Sequence, residues 1–191
     1  THIITNSNKM TELISNFFKL KKNKLSVLPY LIKQTKNKWK NYKERDKSIC
    51  IVGRLAISKG HKELLYAFKD CEHNHPKLKL LIVGDGPEKK NIQNLVKDMK
   101  LEKSVIFIGN IPNKKINTIF SKCLVSISAS KSEAFGIVNI ESLREGTPII
   151  CTNTEGAKDI LEHGKNGFKV DFMKKNDLSE KLTSVLNNWN Y

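Results

Sequence analysis

The sequence predicts an α/β fold, a Rossmann-like doubly wound parallel sheet of about six strands with helices on both faces. From residue 48 onward, short apolar runs rich in Ile, Val and Leu alternate six times with segments of helical periodicity. The runs are almost continuously apolar, which is typical of strands that are covered on both faces. Parallel strands need right-handed crossovers, so we expect the strand order 3-2-1-4-5-6.

Each element of the main domain follows from these patterns. The predicted strands are Ser48–Val52, Leu78–Val83, Val105–Ile108, Leu124–Ser128, Pro148–Cys151 and Gly167–Val170. Helices are predicted near residues 60–73, 88–99, 113–121, 137–145, 156–162 and 175–188. The chain is long enough for one domain with a proper core and short for two.

The first 47 residues repeat the same theme once. Ile3–Thr5 and Leu25–Leu28 resemble strands, and Lys9–Phe18 resembles a helix. Residues 33–47 are polar and lack periodicity, which indicates a linker or a surface loop. We therefore predict a small unit at residues 1–47 and a main domain at residues 48–191.

The chain carries a formal net charge of +15, and this charge is unevenly distributed. Residues 1–48 hold twelve of the 34 Lys and Arg residues but only three of the 19 acidic residues. Such a stretch is compatible with an anionic membrane surface or a nucleic acid. However, Lys dominates, whereas base recognition favours the Arg fork. A solvated, Lys-rich surface is the simpler interpretation, and no nucleic-acid partner is expected.

Several other classes are disfavoured. No apolar run approaches the ~20 residues that span a bilayer, and residues 1–20 do not resemble a signal peptide. The chain does not start with Met, so we expect it to be a piece of a longer protein. No two cysteines have C-x-x-C spacing, and we expect buried thiols in a reducing compartment. The cysteines are Cys50, Cys71, Cys123 and Cys151.

Two loops lie where this sheet is expected to bind a ligand. In a doubly wound sheet, ligands bind beyond the carboxyl ends of the strands where the strand order reverses, here the first and fourth strands. The first loop runs from Gly53 to Gly60 and contains Arg54 and Lys59. An Arg fork, a Lys charge and exposed backbone N–H groups suit a diphosphate. An ordinary strand-to-helix loop with surface charges is the alternative, and the P-loop pattern of NTPases is absent.

The second loop precedes the helix predicted at residues 137–145. Gly136 opens this helix, so the free N–H groups of Gly136, Ile137 and Val138 are expected to form an anion site. Glu133 stands before the helix, and Glu141 lies one turn into it, beside the apolar stripe. Ligand hydroxyls are suitable partners for these carboxylates. Alternatively, Glu133 is only a helix-start acid and Glu141 a solvent-facing residue.

The spacing of Glu133 and Glu141 resembles the E-x7-E motif of glycosyltransferase family 4, which comprises retaining enzymes of the GT-B fold. Five segments resemble further motifs of that family in the same order. They are Val52–Leu55 with Lys59–Gly60 (V-G-R-L…K-G), Leu81–Pro87 (I-V-G-x-G-P), Val105–Gly109 (V-x-F-x-G), Ser132–Val138 (S-E-x-F-G) and Gly146–Ile150 (G-x-P-V-I). The resemblance covers roughly residues 48–170 and points to the C-terminal, nucleotide-sugar-binding domain.

The resemblance implies a role for each matching residue. Arg54 and Lys59 would bind the donor diphosphate and stabilise the leaving nucleotide, with Glu133 facing the hydroxyls of the donor sugar as the third catalytic residue. Glu141 would hydrogen-bond the ribose. The other implied donor-binding residues are Gly53, Gly84, Gly86, Asn110, Ile111, Phe135, Gly136, Ile137 and Val138. Among these, the last three would hold the distal phosphate through backbone amides, and the glycine turn at 84–86 with residues 109–111 would surround the base.

The resemblance also implies a reaction. A sugar would pass, with retention of configuration, from a UDP-, GDP- or ADP-sugar to a glycan or lipid-linked acceptor, without cofactor or metal. The acceptor site would lie on an N-terminal domain, of which residues 1–47 would be the tail and linker. The chain alone would then be inactive. Polysaccharide, lipopolysaccharide or capsule synthesis in the cytoplasm fits this picture, with peripheral contact at the inner face of the cytoplasmic membrane.

Two segments depart from the family pattern. The inter-domain V-I-x-N-G segment reads Val27–Leu31, and the usual G-G pair reads Glu155–Ala157. None of the five histidines matches the cleft-facing His that the N-terminal domain often supplies. A Rossmann dehydrogenase is disfavoured because the glycine turn at residues 84–86 lacks the full G-x-G-x-x-G pattern. A basic module that binds nucleic acid or an anionic membrane without catalysis is the alternative function.

Overall fold

The structure is a computed structural model and describes residues 2–35, 38–133, 135–171, 174 and 176–188. The strands are β1 Ile3–Thr5, β2 Leu25–Val27, β3 Ser48–Val52, β4 Lys79–Val83, β5 Val105–Gly109, β6 Val125–Ser128, β7 Ile149–Thr152 and β8 Gly167–Val170. The helices are α1 Asn8–Phe18, α2 His61–Glu72, α3 Lys89–Asp98, α4 Asn113–Lys122, α5 Ile137–Arg144, α6 Glu155–Ile160 and α7 Asp177–Asn188.

A six-stranded parallel sheet forms the centre of the main domain. Its order is β5-β4-β3-β6-β7-β8, which is the predicted order 3-2-1-4-5-6. β3 pairs with β4 on one side and with β6 on the other, with Ile51 opposite Ile82 and Ile127. The winding direction therefore reverses between β3 and β6, and a crevice opens beyond their carboxyl ends. The predicted fold class is confirmed.

Helices cover both faces of the sheet because its strands are apolar on both sides. On one face, Leu64 and Phe68 of α2 join the largest buried cluster, which also includes Leu182 of α7. On the other face, Phe120 of α4 packs with Cys50 in a second cluster, against which Val138 of α5 is packed. β3 is thus buried from both sides, and its end is a rigid base for the loop that follows.

The predicted bounds agree with the structure within two residues for the elements that it describes. β7 begins at Ile149 rather than Pro148, because proline has no N–H to donate to the ladder. The carbonyl of Pro148 still accepts a hydrogen bond from the N–H of Ser126 at 2.9 Å. α6 begins one residue early because the Thr154 side chain accepts from the N–H of Ala157 as an N-cap. The predicted start of the last helix at residue 175 lies outside the described residues.

The N-terminal unit forms as the sequence predicts. β1 and β2 pair in parallel, and α1 connects them. The side chain of Ser7 caps α1 by accepting from the N–H of Met10. Residue 6 follows β1 and Tyr30 follows the end of β2, so both lie at the carboxyl edge of this small sheet.

Residues 33–47 are more than a plain surface loop. Arg45 is only 8% exposed, and its guanidinium donates to the carbonyls of Cys123 at 2.9 Å and Gly146 at 2.7 Å. Trp39 Nε1 donates to the carbonyl of Arg144 at 2.9 Å. These carbonyls lie at the carboxyl-terminal ends of α4 and α5, where a cation is favoured by the helix dipole. This segment therefore docks on the main domain, and the polar composition concealed that contact.

Two compositional expectations are tested by the structure. All four cysteines are buried and free, as predicted. Within the described ranges, no helix has the length and apolar character needed to cross a membrane. The cysteines therefore serve as small apolar core residues rather than as a surface feature.

Gly60, between β3 and α2, is a position where only glycine fits. Its φ is +67°, and a Cβ would lie 2.0 Å from the carbonyl oxygen of Ala129. We expect Gly60→Ala to lower Tm by well over 4 °C in a thermal melt, because the backbone contact adds to the left-handed strain. Gly164→Ala is the matched control, since Gly164 has φ +83° with open space around its Cβ position. That control should lose about 1 kcal/mol, or roughly 2–4 °C; equal losses would contradict the close approach.

Candidate functional site

The two loops singled out in the sequence meet at the reversal point of the sheet. The N–H of Lys131 in the second loop donates to the carbonyl of Ser58 in the first at 2.8 Å. Gly60 crosses the backbone of Ala129 so closely that no side chain fits between them. Because α2 and α5 start from these loops, their N-terminal ends converge on one side of the crevice.

A cavity of about 430 Å³ lies between these loops. Eight of the predicted site residues line it. They are Gly53, Arg54, Lys59, Glu133, Phe135, Gly136, Ile137 and Val138. Residues from β1–α1, the β2 end, β3, β6 and the first turns of α2 and α5 complete the wall, so the N-terminal unit also contributes. Ala134, which belongs to the predicted motif, lies outside the described residues.

Two cations project into this cavity in different states. Arg54 is exposed and has no hydrogen bond or ion pair with the described residues. Lys59 Nζ lies 2.8 Å from Glu133 Oε2, with the two side chains 33% and 26% exposed. A half-exposed pair of this kind contributes little to stability. Its effect is instead to hold the ammonium group of Lys59 at a fixed place beside the start of α5.

α5 begins without a side-chain cap. Gly136 has φ +78° and precedes the first helical residue, Ile137, and the first turn contains no acidic residue. The first N–H groups of a helix have no partner within the helix, and they carry the positive end of its dipole. With Arg54 and Lys59 opposite, this end of the cavity has three sources of positive potential and is suited to a phosphate group.

The predicted residues Gly84 and Gly86 do not line this cavity. A Cβ on Gly84 would lie 2.0 Å from the carbonyl oxygen of Gly53, and one on Gly86 would lie 2.4 Å from that of Leu55. The N–H of Leu55 donates to the carbonyl of Asp85 at 3.0 Å. These glycines therefore pack directly against the loop that carries Arg54 and fix its course. Their predicted contact with a base stays a prediction.

Three further predicted residues also lie outside the cavity wall. Asn110 and Ile111 follow β5 on the far side of β4, and Asn110 is exposed. Glu141 is half-buried on α5. Burial raises the pKa of the Glu141 carboxyl, and Arg144 opposes part of that rise. The sequence predicted a carboxylate in a partly apolar setting there, and the structure shows that setting without testing its proposed ribose contact.

Four residues of the wall were missed in the sequence: Asn6, Tyr30, His61 and Asn139. The Tyr30 ring lies 5.3 Å from the Phe135 ring, centroid to centroid, at the mouth of the cavity. His61 and Asn139 are 3% and 2% exposed. Burial lowers the pKa of His61 to about 4, with Glu63 opposing and Lys59 assisting the effect, so the imidazole is neutral at physiological pH. Its place directly after Lys59-Gly60 was the only sequence signal.

Buried polar atoms without partners are concentrated around this cavity. Among the described residues, five buried side-chain atoms have no hydrogen-bond partner, and four of them belong to residues of the cavity wall. They are Asn6 Oδ1, His61 Nδ1, His61 Nε2 and Asn139 Oδ1. Folded proteins pair nearly all such atoms, because an unpaired buried polar atom costs about 1–3 kcal/mol. This distribution indicates a site that is completed by a polar ligand.

Comparison with known proteins identifies the family. The family model for glycosyl transferases group 1 matches residues 33–191. The chain belongs to this family. As a group 1 glycosyltransferase chain, it has the α/β fold with a six-stranded parallel sheet that characterises the C-terminal half of a GT-B protein.

Curated relatives of this glycosyltransferase chain share about 30% of its residues. An uncharacterized glycosyltransferase of Haemophilus influenzae is 31% identical over 147 residues, which cover 76% of this chain and 41% of that protein. Alpha-monoglucosyldiacylglycerol synthase of Acholeplasma laidlawii is 28% identical over 138 residues, covering 72% and 34% respectively. The chain thus spans well under half the length of the curated relatives it matches.

Solved structures show the same fold. The crystal structure of S. aureus TarM, in complex with fondaparinux, alpha-GlcNAc-glycerol and UDP, superposes with a TM-score of 0.86. The match covers 98% of this chain and 37% of TarM at 20% sequence identity. Because it includes residues before β3, the N-terminal unit and the main domain have the relative arrangement that belongs to this fold.

The raised pKa of Glu141 predicts a pH-dependent stability difference. Its ordinary pKa is 4.5, so below about pH 4 the carboxyl is protonated in both the folded and unfolded states and costs nothing. As pH rises through the folded pKa, the charged form is penalised in the folded state alone. Glu141→Gln should therefore raise Tm at about pH 7, on the order of 1 °C after solvent screening, and leave it unchanged at about pH 4.

Glu162→Gln is the control for this measurement. Lys165 lowers the pKa of the Glu162 carboxyl through a 2.7 Å hydrogen bond, so its shift has the opposite sign. Melts of both variants across this pH range should show a gain for Glu141→Gln at neutral pH and none for Glu162→Gln. A loss at neutral pH in Glu141→Gln would show that the carboxylate has a stabilising partner in the free protein.

Proposed function

We propose that this chain binds the donor of a retaining glycosyltransferase, a nucleotide-diphosphate sugar. The observation that carries the proposal is the convergence of Arg54, Lys59 and the uncapped start of α5 on one cavity at the switch point of the sheet. A diphosphate presents several unprotonated oxygens in a short span. It therefore matches a fork, a point charge and a row of N–H groups better than a single carboxylate would.

The proposed chemistry is the departure of the nucleoside diphosphate from the anomeric carbon. The bond between this carbon and the phosphate oxygen breaks, and the electron pair stays on the diphosphate, which gains one negative charge. Arg54, Lys59 and the dipole of α5 stabilise that charge without having to reorganise. The effect is larger in a closed, water-poor cleft than in water. These groups thus supply the leaving-group stabilisation, and we propose that no metal is needed for it.

Retention of configuration is part of the proposal. In glycosidases, two carboxylates flank the bond that breaks, as acid and nucleophile or base. Here Glu133 is hydrogen-bonded to Lys59 at 2.8 Å, and Glu141 lies outside the cavity wall. This geometry favours attack of the acceptor hydroxyl on the face that the diphosphate leaves, with its proton passing to the departing phosphate. Glu133 then faces the donor sugar rather than acting as a nucleophile.

The donor and acceptor classes are proposed from the relatives. TarM binds UDP, which supports a UDP-sugar ahead of the GDP- and ADP-sugars that the cavity also accommodates chemically. Relatives in two organisms are named alpha-monoglucosyldiacylglycerol synthases, and another is named a poly(glycerol-phosphate) alpha-glucosyltransferase. These names support a lipid or glycan acceptor, and with it a cytoplasmic enzyme in peripheral contact with the inner face of the membrane. No feature of the described residues favours a nucleic-acid-binding module.

Removal of either cation should weaken nucleotide binding. We expect Arg54→Ala and Lys59→Ala each to raise the Kd for UDP at least tenfold in isothermal titration, since a hydrogen bond to a charged group contributes about 1.5–3 kcal/mol. Lys165→Ala is the matched control. Lys165 also pairs with a glutamate, at 2.7 Å from Glu162, but it lies before β8 at the opposite edge of the sheet. Unchanged UDP affinity in both cavity variants would refute the proposed site.

The chain by itself should bind the donor but transfer little sugar. The curated relatives are more than twice as long, and in the proposed reaction the acceptor binds to their remaining part. A radiolabelled UDP-glucose assay with a diacylglycerol acceptor should show less than about one percent of the rate of a full-length relative, because the loss of acceptor positioning costs several orders of magnitude. Transfer at a comparable rate would mean that residues 1–191 contain the acceptor site.

A further inference from the structure

The floor of the cavity contains two buried polar side chains that the proposed diphosphate contacts leave unexplained. His61 is the first residue of α2, and neither of its ring nitrogens has a partner among the described residues. Asn139 is in the first turn of α5, and its Oδ1 has none either. Both side chains are at least nine-tenths buried, and both line the cavity. They come from different helices and meet only because the two loops cross.

The chemistry of these atoms defines what they can bind. A neutral imidazole offers one N–H donor and one acceptor nitrogen, and Asn139 Oδ1 is an acceptor only. The floor therefore holds two acceptors that need a hydrogen from the ligand. Ionised phosphate oxygens have no hydrogen to give, whereas a hydroxyl group both donates and accepts. The unpaired atoms accordingly fit a polyhydroxylated group and not the diphosphate itself.

The positions of the two residues place such a group beside the diphosphate. His61 is two residues after Lys59, and Asn139 directly follows Val138. The amide nitrogen of Asn139 also lies close to Gly136, at 2.9 Å from the position of an added Cβ. Both residues therefore adjoin the groups proposed to hold the distal phosphate. In a nucleotide sugar, the ring that this phosphate carries is the part that brings hydroxyl groups to this point.

We propose that His61 and Asn139 determine donor specificity by hydrogen-bonding hydroxyl groups of the donor sugar. The inference rests on the proposed function and extends it to residues outside the motifs that identified the site. It also separates sugar binding from nucleotide binding, since His61 and Asn139 contact the sugar while Arg54 and Lys59 contact the diphosphate.

The free protein offers a readout that distinguishes this role from a structural one. A buried polar side chain that supports the fold is paired, and its loss destabilises the protein. His61 and Asn139 are unpaired, so their polar atoms reduce the stability of the free protein. Replacing them with an apolar side chain of similar size should leave Tm unchanged or raise it. A specificity residue thus shows a loss of ligand affinity without a loss of stability.

The test uses isothermal titration and thermal melts of the 191-residue chain. UDP, GDP and ADP are titrated first, each with its glucose conjugate, and then the galactose, mannose and N-acetylglucosamine conjugates of the preferred nucleotide. His61→Leu and Asn139→Leu should each raise the Kd for the preferred nucleotide sugar at least tenfold, or about 1.4 kcal/mol. The Kd for the free diphosphate should change less than about threefold, and Tm should not fall. His61→Gln, which keeps a neutral donor and acceptor, should recover part of the affinity.

His75→Leu is the matched control. His75 Nε2 is also buried without a partner, but it lines a different cavity, beside Lys77 at the amino-terminal edge of the sheet. This variant should leave the affinities for the diphosphate and its sugar conjugate unchanged. If it lowers the affinity for the conjugate as much as His61→Leu does, the effect is not specific to the cavity floor and the inference is wrong.

The remaining outcomes separate this inference from the proposed function. Equal losses of diphosphate and nucleotide-sugar affinity in His61→Leu, or a fall in Tm with both affinities retained, would assign His61 a structural role. A wild-type chain that binds a diphosphate but none of its sugar conjugates would also overturn the inference, while the diphosphate site would stand. A chain that binds no nucleoside diphosphate would overturn the proposed function itself, and the inference with it.

Discussion

The close crossing of two backbone segments at Gly60 and Ala129 determines the geometry of the whole site. At this point the loops after β3 and β6 touch, and the starts of α2 and α5 are brought to one side of the sheet. The crossing is possible because position 60 has no side chain and adopts a positive φ. The positive groups that the two loops carry therefore share one cavity, and none of them needs a long-range movement to reach it.

The same protein treats two buried nitrogen-rich side chains in opposite ways. Arg45 is enclosed, and its guanidinium is surrounded by the carbonyls at the ends of two helices, so its charge is satisfied within the fold. His61 is enclosed as well, but its ring nitrogens have no partner among the described residues. The first arrangement fastens the segment before β3 to the main domain. The second leaves polar capacity for a ligand, as is common where stability is given up for function.

The sequence predicts most of the fold because its signals are local. Continuous apolar runs separated by helical periodicity give the strands and helices within two residues, and chain-order rules give the sheet order. The two site loops were also predictable, since the switch point selects them and their Gly, Arg and Glu residues are unusual. Position along the chain alone thus places Arg54 and Lys59 opposite Gly136.

The rest depends on contacts between distant residues. Burial of His61 and Asn139, and the lack of partners for their polar atoms, arise only after the two loops cross. Gly84 and Gly86 have a local pattern that suggests ligand contact, whereas tertiary packing places them behind the loop of Arg54. The buried state of Arg45 was hidden in the same way, because a polar stretch without periodicity shows no sign of the helix ends against which it packs.

The most direct test is a crystal structure of the chain with bound UDP. The diphosphate is predicted to lie in the cavity between the two loops, with its oxygens within about 3.5 Å of the side chains of Arg54 and Lys59 and of a backbone nitrogen at the start of α5. Binding of the diphosphate at the amino-terminal edge of the sheet, beside Lys43, Lys47 and Lys77, would contradict the assignment of these groups as the donor site.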